Sequence, residues 1–461
     1  FIQSEHALRA KILLKPLSNF RIAKVELKTF NNNPVHAVYF KSHRTSRDAR
    51  NLLESNGIIC WEADIRPHER YLMERFITAG AIIDDESSTK KNPFLNPRLA
   101  PAEYRPELKL LSLDIETSMT ASELFSIGVW TAHDRKVFMV GAETPSTHSV
   151  TTVDIQYFDS QLSCLQNFLK WFSEYDPDVI IGWSVVQFDL WVLETLCKKL
   201  GINFAIGRAD QSAHWRQEEG DGRRYIVIPG RVALDGIELL KAANFHYESY
   251  SLQYVSEAIL GSGKLLHGSG RGEDIARLFA EDKQSLAEYN LRDCELVWDI
   301  FIQKKLLHFA VERSQLTGLL LDRVGGSVAA FEYSYLPRLH RRGYVAPNMG
   351  ELESDVVSPG GYVMNSQPGI YDNILVLDFK SLYPSIIRTF LIDPCAFWIA
   401  EHEQLPEDAI VPGFNGAHFA REGHILPQMI ENLSAARDVA KKQKNASKRI
   451  LIILLRIDGI C

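Results

Sequence analysis

Asp114 and Glu116 stand in the stretch Lys109-Leu110-Leu111-Ser112-Leu113-Asp114-Ile115-Glu116-Thr117. Its apolar residues, and the alternation after Ser112, predict a buried strand on which side chains two apart share one face. Two carboxylates on one face of a core strand are costly unless a positive charge sits between them. A divalent metal held by oxygen ligands is the simplest such charge. Taken alone, the pair more simply fits a strand end whose acids face water. Asp189 follows a buried run at 178–183 and a turn at 184–188, at the start of an amphipathic helix, where an aspartate can also serve as a plain N-cap. Tyr289 and Asp293 are four apart on a helix predicted over 282–308, so they lie one above the other, with Leu286, Leu296 and Ile300 on or near the same face. An inward acid among apolar neighbours needs a partner or a metal. Asp235 ends a strand-like run at 231–235 and has the simpler reading of a cap for the helix predicted at 237–243.

The elements that must position these residues alternate along the chain. Strand-like runs at 124–130 and 136–140 follow the Asp-x-Glu strand, and a helix at 162–175 stops at Asp176-Pro177, before the run at 178–183. That order predicts a mixed α/β layer. Upstream, runs at 35–40 and 57–61 read as strands and 66–77 as a helix, while 84–106, rich in Ser, Asn, Lys and Pro, reads as a boundary. The glycines of 261–272 lack the strand context of a dinucleotide loop, so this stretch reads as a flexible connection.

With 461 residues there is room for about three domains, and 46% hydrophobic content is that of a globular chain. The sequence opens at Phe1 without an apolar leader and reads as a fragment. Its longest aliphatic run, 450–455, falls far short of the roughly 20 residues a membrane span needs, so no membrane association is expected. Six cysteines without Cys-x-x-Cys spacing argue against zinc and disulfides and fit a reducing cytoplasm. A net charge of −7 gives no global support to nucleic-acid binding, yet from Arg421 onward eight basic residues face four acidic ones.

Taken together and in order, Asp114-Ile115-Glu116-Thr117, Gly182-Trp183 leading to Phe188-Asp189, and Tyr289 with Asp293 resemble the three exonuclease motifs of family B DNA polymerases, and their bacterial members most closely. The likeness continues downstream in Gly325-Gly326-Ser327, in Ser358-Pro359-Gly360-Gly361-Tyr362 and in Asp378-Phe379-Lys380-Ser381-Leu382-Tyr383-Pro384-Ser385-Ile386-Ile387, and it covers the chain from about Trp61 to about Lys444. It implies an N-terminal α+β domain (1–105), a ribonuclease H-like 3′-to-5′ exonuclease domain (106–310), a connecting segment with a partial polymerase palm (311–425) and partial fingers (426–461).

In that family's scheme Asp114 bridges two divalent ions, Mg²⁺ with Mn²⁺ as substitute. Glu116 and Asp293 help hold the ion on the attacking side, Asp189 favours the other, and Tyr289 orients the water. Two ions of this kind activate the water, relieve charge on the phosphorus and stabilise the leaving oxygen. Where the family has Asn after Gly-Trp, this chain has Ser184, which implies weakened substrate handling with the chemistry kept.

For the palm, the resemblance implies a buried strand at 375–378 that delivers Asp378, a metal ligand. The free amides opening the next helix, at Ser381 and Leu382, would take a triphosphate, and Tyr383 would pack beneath the incoming sugar. Arg437 and Lys441, four apart on a helix, would grip triphosphate oxygens, although a solvated basic face is the competing reading. The family's second palm carboxylate has no counterpart in the sequence, so a DNA polymerase fragment is expected whose nuclease site is complete and whose polymerase site is not. The implied partners are primer-template DNA, a single-stranded 3′ end, deoxynucleoside triphosphates and a sliding clamp, in a bacterial cytoplasm near the nucleoid. A dedicated single-strand exonuclease and a decayed DNA-binding remnant are the alternatives.

Overall fold

The computed structural model describes residues 1–84, 97–144, 153–217, 222–265, 271–350, 364–379 and 381–442. The motif at 358–362, Lys380 and the basic residues from Lys444 onward lie outside them. The chain divides into two compact units, one of residues 104–326 and one of residues 1–103 with 327–461.

The 104–326 unit is built on a six-stranded mixed sheet. Its strands are β1 (Leu110–Thr117), β2 (Leu124–Trp130), β3 (Arg135–Val140), β4 (Asp154–Phe158), β5 (Val179–Gly182) and β6 (Val232–Asp235), in the order β6-β5-β1-β2-β3-β4. The β1–β2 and β2–β3 pairs are antiparallel, and the rest are parallel. Alternation divides β1 between two layers. Leu111, Leu113 and Ile115 enter a core with Phe168, Leu190 and Leu193 from α1 (Gln161–Tyr175) and α2 (Asp189–Lys199). Ser112, Asp114 and Glu116 point to the opposite face, where the Ser112 hydroxyl donates to the Cys294 carbonyl at 2.8 Å. Helix α1 begins at Ser160, whose hydroxyl accepts the Ser163 amide, and ends at Asp176 in the left-handed region.

After β6 come α3 (Gly236–Ala242), α4 (Leu252–Leu260), α5 (Arg271–Glu281), α6 (Lys283–Gln303) and α7 (Leu306–Thr317). Asp235 caps α3 by accepting the Ile237 amide at 2.9 Å. The single helix expected over 282–308 is two helices, because Lys305 turns left-handed at φ 55° and interrupts the ladder. No Gly or Pro marks that stop, so pattern alone ran through it.

The other unit opens with a three-stranded antiparallel sheet in which Pro34–Phe40 lies between Ile2–Gln3 and Phe20–Lys28. The strand expected at 57–61 is only an isolated bridge between Cys60 and Ile2, and the helix expected at 66–77 spans Pro67–Met73. The boundary expected at 84–106 contains a strand, Arg98–Pro101, paired with Ala81–Asp84. Downstream are α8 (Ser327–Arg341), α9 (Leu382–Phe390), α10 (Pro394–His402) and α11 (Leu426–Lys442). A core of Met73, Tyr333, Leu336, Ile387 and Ile430 joins the N-terminal and C-terminal parts of this unit.

Among the described residues no helix is long and apolar enough to cross a membrane.

Candidate active site

Three elements meet on the polar face of β1. The strand supplies Asp114 and Glu116; β2 sets Gly128 opposite Asp114 and Ser126 opposite Glu116; α6 crosses both and supplies Tyr289, Asn290 and Asp293. Carboxylate oxygens of Asp114, Glu116 and Asp293 lie within 4.8 Å of one another, and Glu116 and Asp293 are buried. Asp189 is outside this trio but lines the same cleft, of about 720 Å³, with Asp114, Glu116, Trp183, Phe188 and Tyr250. It is the first residue of α2, not its N-cap, and its Oδ1 accepts the Ile115 amide, between the two acids of β1, at 3.0 Å. Burial pushes the Asp189 carboxyl well above the usual range, and the charge of Asp114 pushes the same way.

The turn that delivers Asp189 is tightly fitted. Ser184 has φ +62°, a conformation uncommon for residues other than glycine and easiest for Asn and Asp. The Trp183 indole donates to the Tyr250 carbonyl at 2.9 Å, and its ring lies where a Cβ on Gly236 would come within 2.8 Å. Glycine at 236 is what lets the ring close over the start of α3.

Two residues of this site escaped the sequence reading. Lys264 belongs to the stretch expected to be a flexible connection, yet it is buried, ion-paired to Asp293 and 3.4 Å from the Tyr289 hydroxyl. Its amide is held by Gln253 Oε1 at 2.6 Å. A lysine between glycines and two leucines was the available signal. Asn290, fully buried next to Tyr289, donates through Nδ2 to Asp114 Oδ2 at 2.7 Å. Beneath the acids, burial raises the Cys294 thiol far above its ordinary range, and the nearby carboxylate charges add to the shift.

This donor set suits a hard divalent cation. All the ligands are carboxylate oxygens, they converge from separate elements, and an ammonium already sits against one of them.

The residues expected to form a nucleotide site are less assembled. Leu375, Val376, Leu377 and Phe379 are exposed, and 373–379 is not a strand. The buried strand expected to carry Asp378 is therefore absent, because a strand needs a paired neighbour and none of the described residues supplies one. Helix α9 does begin at Leu382, after Ser381 in the left-handed region, with Tyr383 exposed. Arg437, buried on α11, donates to the Ser381 hydroxyl at 2.8 Å. Lys441 is four residues further along the same helix.

Fold and site together define a mixed α/β protein carrying a carboxylate cluster fit for divalent cations. Residues 58–255 match the exonuclease domain of DNA polymerase family B, and residues 324–453 match DNA polymerase family B. The chain belongs to this family. Over its whole length it is 43% identical to DNA polymerase II of Escherichia coli (strain K12), of which it spans 59%. It is 28% identical, over 77% of its length, to a DNA polymerase of Thermococcus sp. (strain 9oN-7), of which it covers 46%. The solved family B DNA polymerase of Pyrobaculum calidifontis superposes on 98% of the chain and 60% of its own, with a TM-score of 0.72 at 23% identity.

Proposed function

We propose that the 104–326 unit is a 3′-to-5′ exonuclease acting on DNA ends, within a chain whose parent activity is DNA-directed DNA synthesis. The observation that carries this reading is the convergence of Asp114, Glu116 and Asp293 within 4.8 Å, with Asp114 and Glu116 lining a cleft roomy enough for a nucleotide. These acids, together with Asp189, would hold Mg²⁺, or Mn²⁺ in its place. When bound, two such ions make water nucleophilic at neutral pH and offset charge on the phosphate.

The chain's own residues do the rest. The Tyr289 hydroxyl orients the attacking water by hydrogen bond. The Lys264 ammonium, beside Tyr289 and Asp293, turns from its carboxylate partner toward a phosphate oxygen as negative charge builds there. Phe188, exposed at the cleft, offers a stacking face to an unpaired base. A frayed, single-stranded 3′ terminus suits such a site better than a duplex.

In the other unit, the opening amides of α9 with Arg437 and Lys441 would form part of a triphosphate site, with Tyr383 to pack under the sugar and Asp378 to hold a metal. DNA and deoxynucleotides are the partners this reading requires, which fits a cytoplasmic, nucleoid-associated protein; a sliding clamp enters as a family expectation only.

Mg²⁺-dependent release of nucleotides from the 3′ end of single-stranded DNA tests the nuclease half. Wild-type chain should digest and Asp114→Ala should not; equal digestion by both refutes the assignment. Because 373–379 pairs with no strand among the described residues, the 461-residue chain should not extend a primer under conditions where it digests one. Robust extension contradicts that reading of the palm.

A further inference from the structure

We infer that Asn290 is a positioning residue, fixing the Asp114 carboxylate in the orientation that binds a cation, with Ser126 and Gly128 as its supports. The inference rests on the nuclease reading above and deepens it. Asn290 is fully buried on α6, three residues before Asp293 and beside Tyr289. A buried carboxamide is costly unless its groups are paired. Here both ends are: Nδ2 donates to Asp114 Oδ2 at 2.7 Å, and Oδ1 accepts the Ser126 hydroxyl at 2.9 Å. The amide has one acceptable orientation, because turning it over would set its oxygen against the carboxylate oxygen of Asp114.

Space for this amide is built into the sheet. Gly128 faces Asp114 across the β1–β2 ladder, and a Cβ there would stand 2.9 Å from Asn290 Cγ and Oδ1. Any side chain at 128 would push Asn290 off Asp114. Three neighbouring positions, one on α6 and two on β2, thus serve a single contact to one carboxylate oxygen. A hydrogen bond of this kind restricts the ligand to one rotamer before the cation arrives, so that binding does not have to order it. Loss of such outer contacts weakens metal sites by about 10- to 100-fold.

A purely structural polar lock would change stability alone, so the test reads cation binding directly. Mn²⁺ is titrated without DNA into the 461-residue wild-type chain and into Asp114→Ala, Asn290→Ala, Gly128→Ala and Ser126→Ala, following the free-ion electron paramagnetic resonance signal, with a melting curve for each. Asn290→Ala should weaken Mn²⁺ binding by about 10- to 100-fold. Gly128→Ala should act in the same direction, and Ser126→Ala more weakly. Raising Mn²⁺ should restore digestion by Asn290→Ala to near the wild-type kcat. Mn²⁺ binding lost in Asp114→Ala but unchanged in folded Asn290→Ala overturns this inference and leaves the nuclease reading standing. If Asn290→Ala does not fold, unchanged affinity in Ser126→Ala overturns it equally. A wild-type chain that binds no Mn²⁺ overturns the metal reading, and the inference with it.

Discussion

Two sets of buried carboxylates, one in each unit, answer the same electrostatic problem in opposite ways. In the unit of residues 1–103 with 327–461, Glu62 accepts from both His340 Nε2 at 3.0 Å and the Ala346 amide at 2.7 Å, and it pairs with Arg70 at 2.5 Å. His340 Nδ1 meets Glu74, so both ring nitrogens face carboxylates and the imidazolium satisfies both. Burial alone would raise Glu62, but these donors and charges hold it down at about 2. Burial likewise works against His340, and the two glutamates outweigh it and raise its pKa. In the 104–326 unit, Asp189 is pushed up by burial and by another acid, while Lys264 pairs with Asp293. Acids whose charge is met by fixed donors are scaffolding. Acids that converge on one another from separate elements form a donor set suited to a divalent cation.

The comparison breaks most visibly at the ligands. Asp114→Asn should lower nuclease turnover by roughly 10³-fold or more with little change in melting temperature, because the Asn290 amide keeps an oxygen to donate to. Glu62→Gln should do the reverse, destabilising its unit by about 3–5 kcal/mol because His340 and Arg70 keep their charge without their partner. Chemical denaturation read from amide exchange in that unit measures the loss, and turnover should be kept.

A third prediction concerns pH. Glu62, depressed, contributes stability that is present above about 4.5 and lost as pH falls toward about 2. His340, raised, contributes below 6.5 and loses its contribution as pH climbs through its folded-state value. Asp235 runs the other way. Burial lifts it to about 6, against the hydrogen bonds from the Ile237 and Glu238 amides, so its ionisation removes stability as pH rises from about 4 to about 6. The loss is about 3 kcal/mol. Between these pH values, once the intrinsic rise of exchange with pH is divided out, amide protection should fall in the sheet around Asp235 and stay level around Glu62, and Asp235→Asn should flatten the change.

The smallest effect is expected at Ser184. Ser184→Asn places a residue that tolerates φ +62° in the turn before Asp189 and should raise stability by a few tenths of a kcal/mol, with improved KM for single-stranded DNA. Thermal melts and a substrate titration read both.

The sequence carried the acids well because their neighbours obey simple periods. Alternation in β1 assigns Asp114 and Glu116 to one face, and the i, i+4 relation of Tyr289 and Asp293 holds on α6. What it could not carry were contacts that depend on three-dimensional closure. Asn290 looks like any polar helix residue until Gly128 and Ser126 are seen across from it, and Lys264 looks like loop charge until α4 pins its amide. The stop at Lys305 has no Gly or Pro to announce it. At 375–378 the error ran the other way: an apolar run reads as a strand whether or not a neighbour exists to pair with it.

Whether these acids act as one cation site that cuts a DNA 3′ end is read directly at that end. Single-stranded DNA labelled at its 3′ terminus, incubated with the 461-residue chain and Mg²⁺, should release labelled mononucleotide. Release should cease on chelation and in Asp114→Ala. Release that continues unchanged in Asp114→Ala, or that needs no divalent cation, contradicts the account.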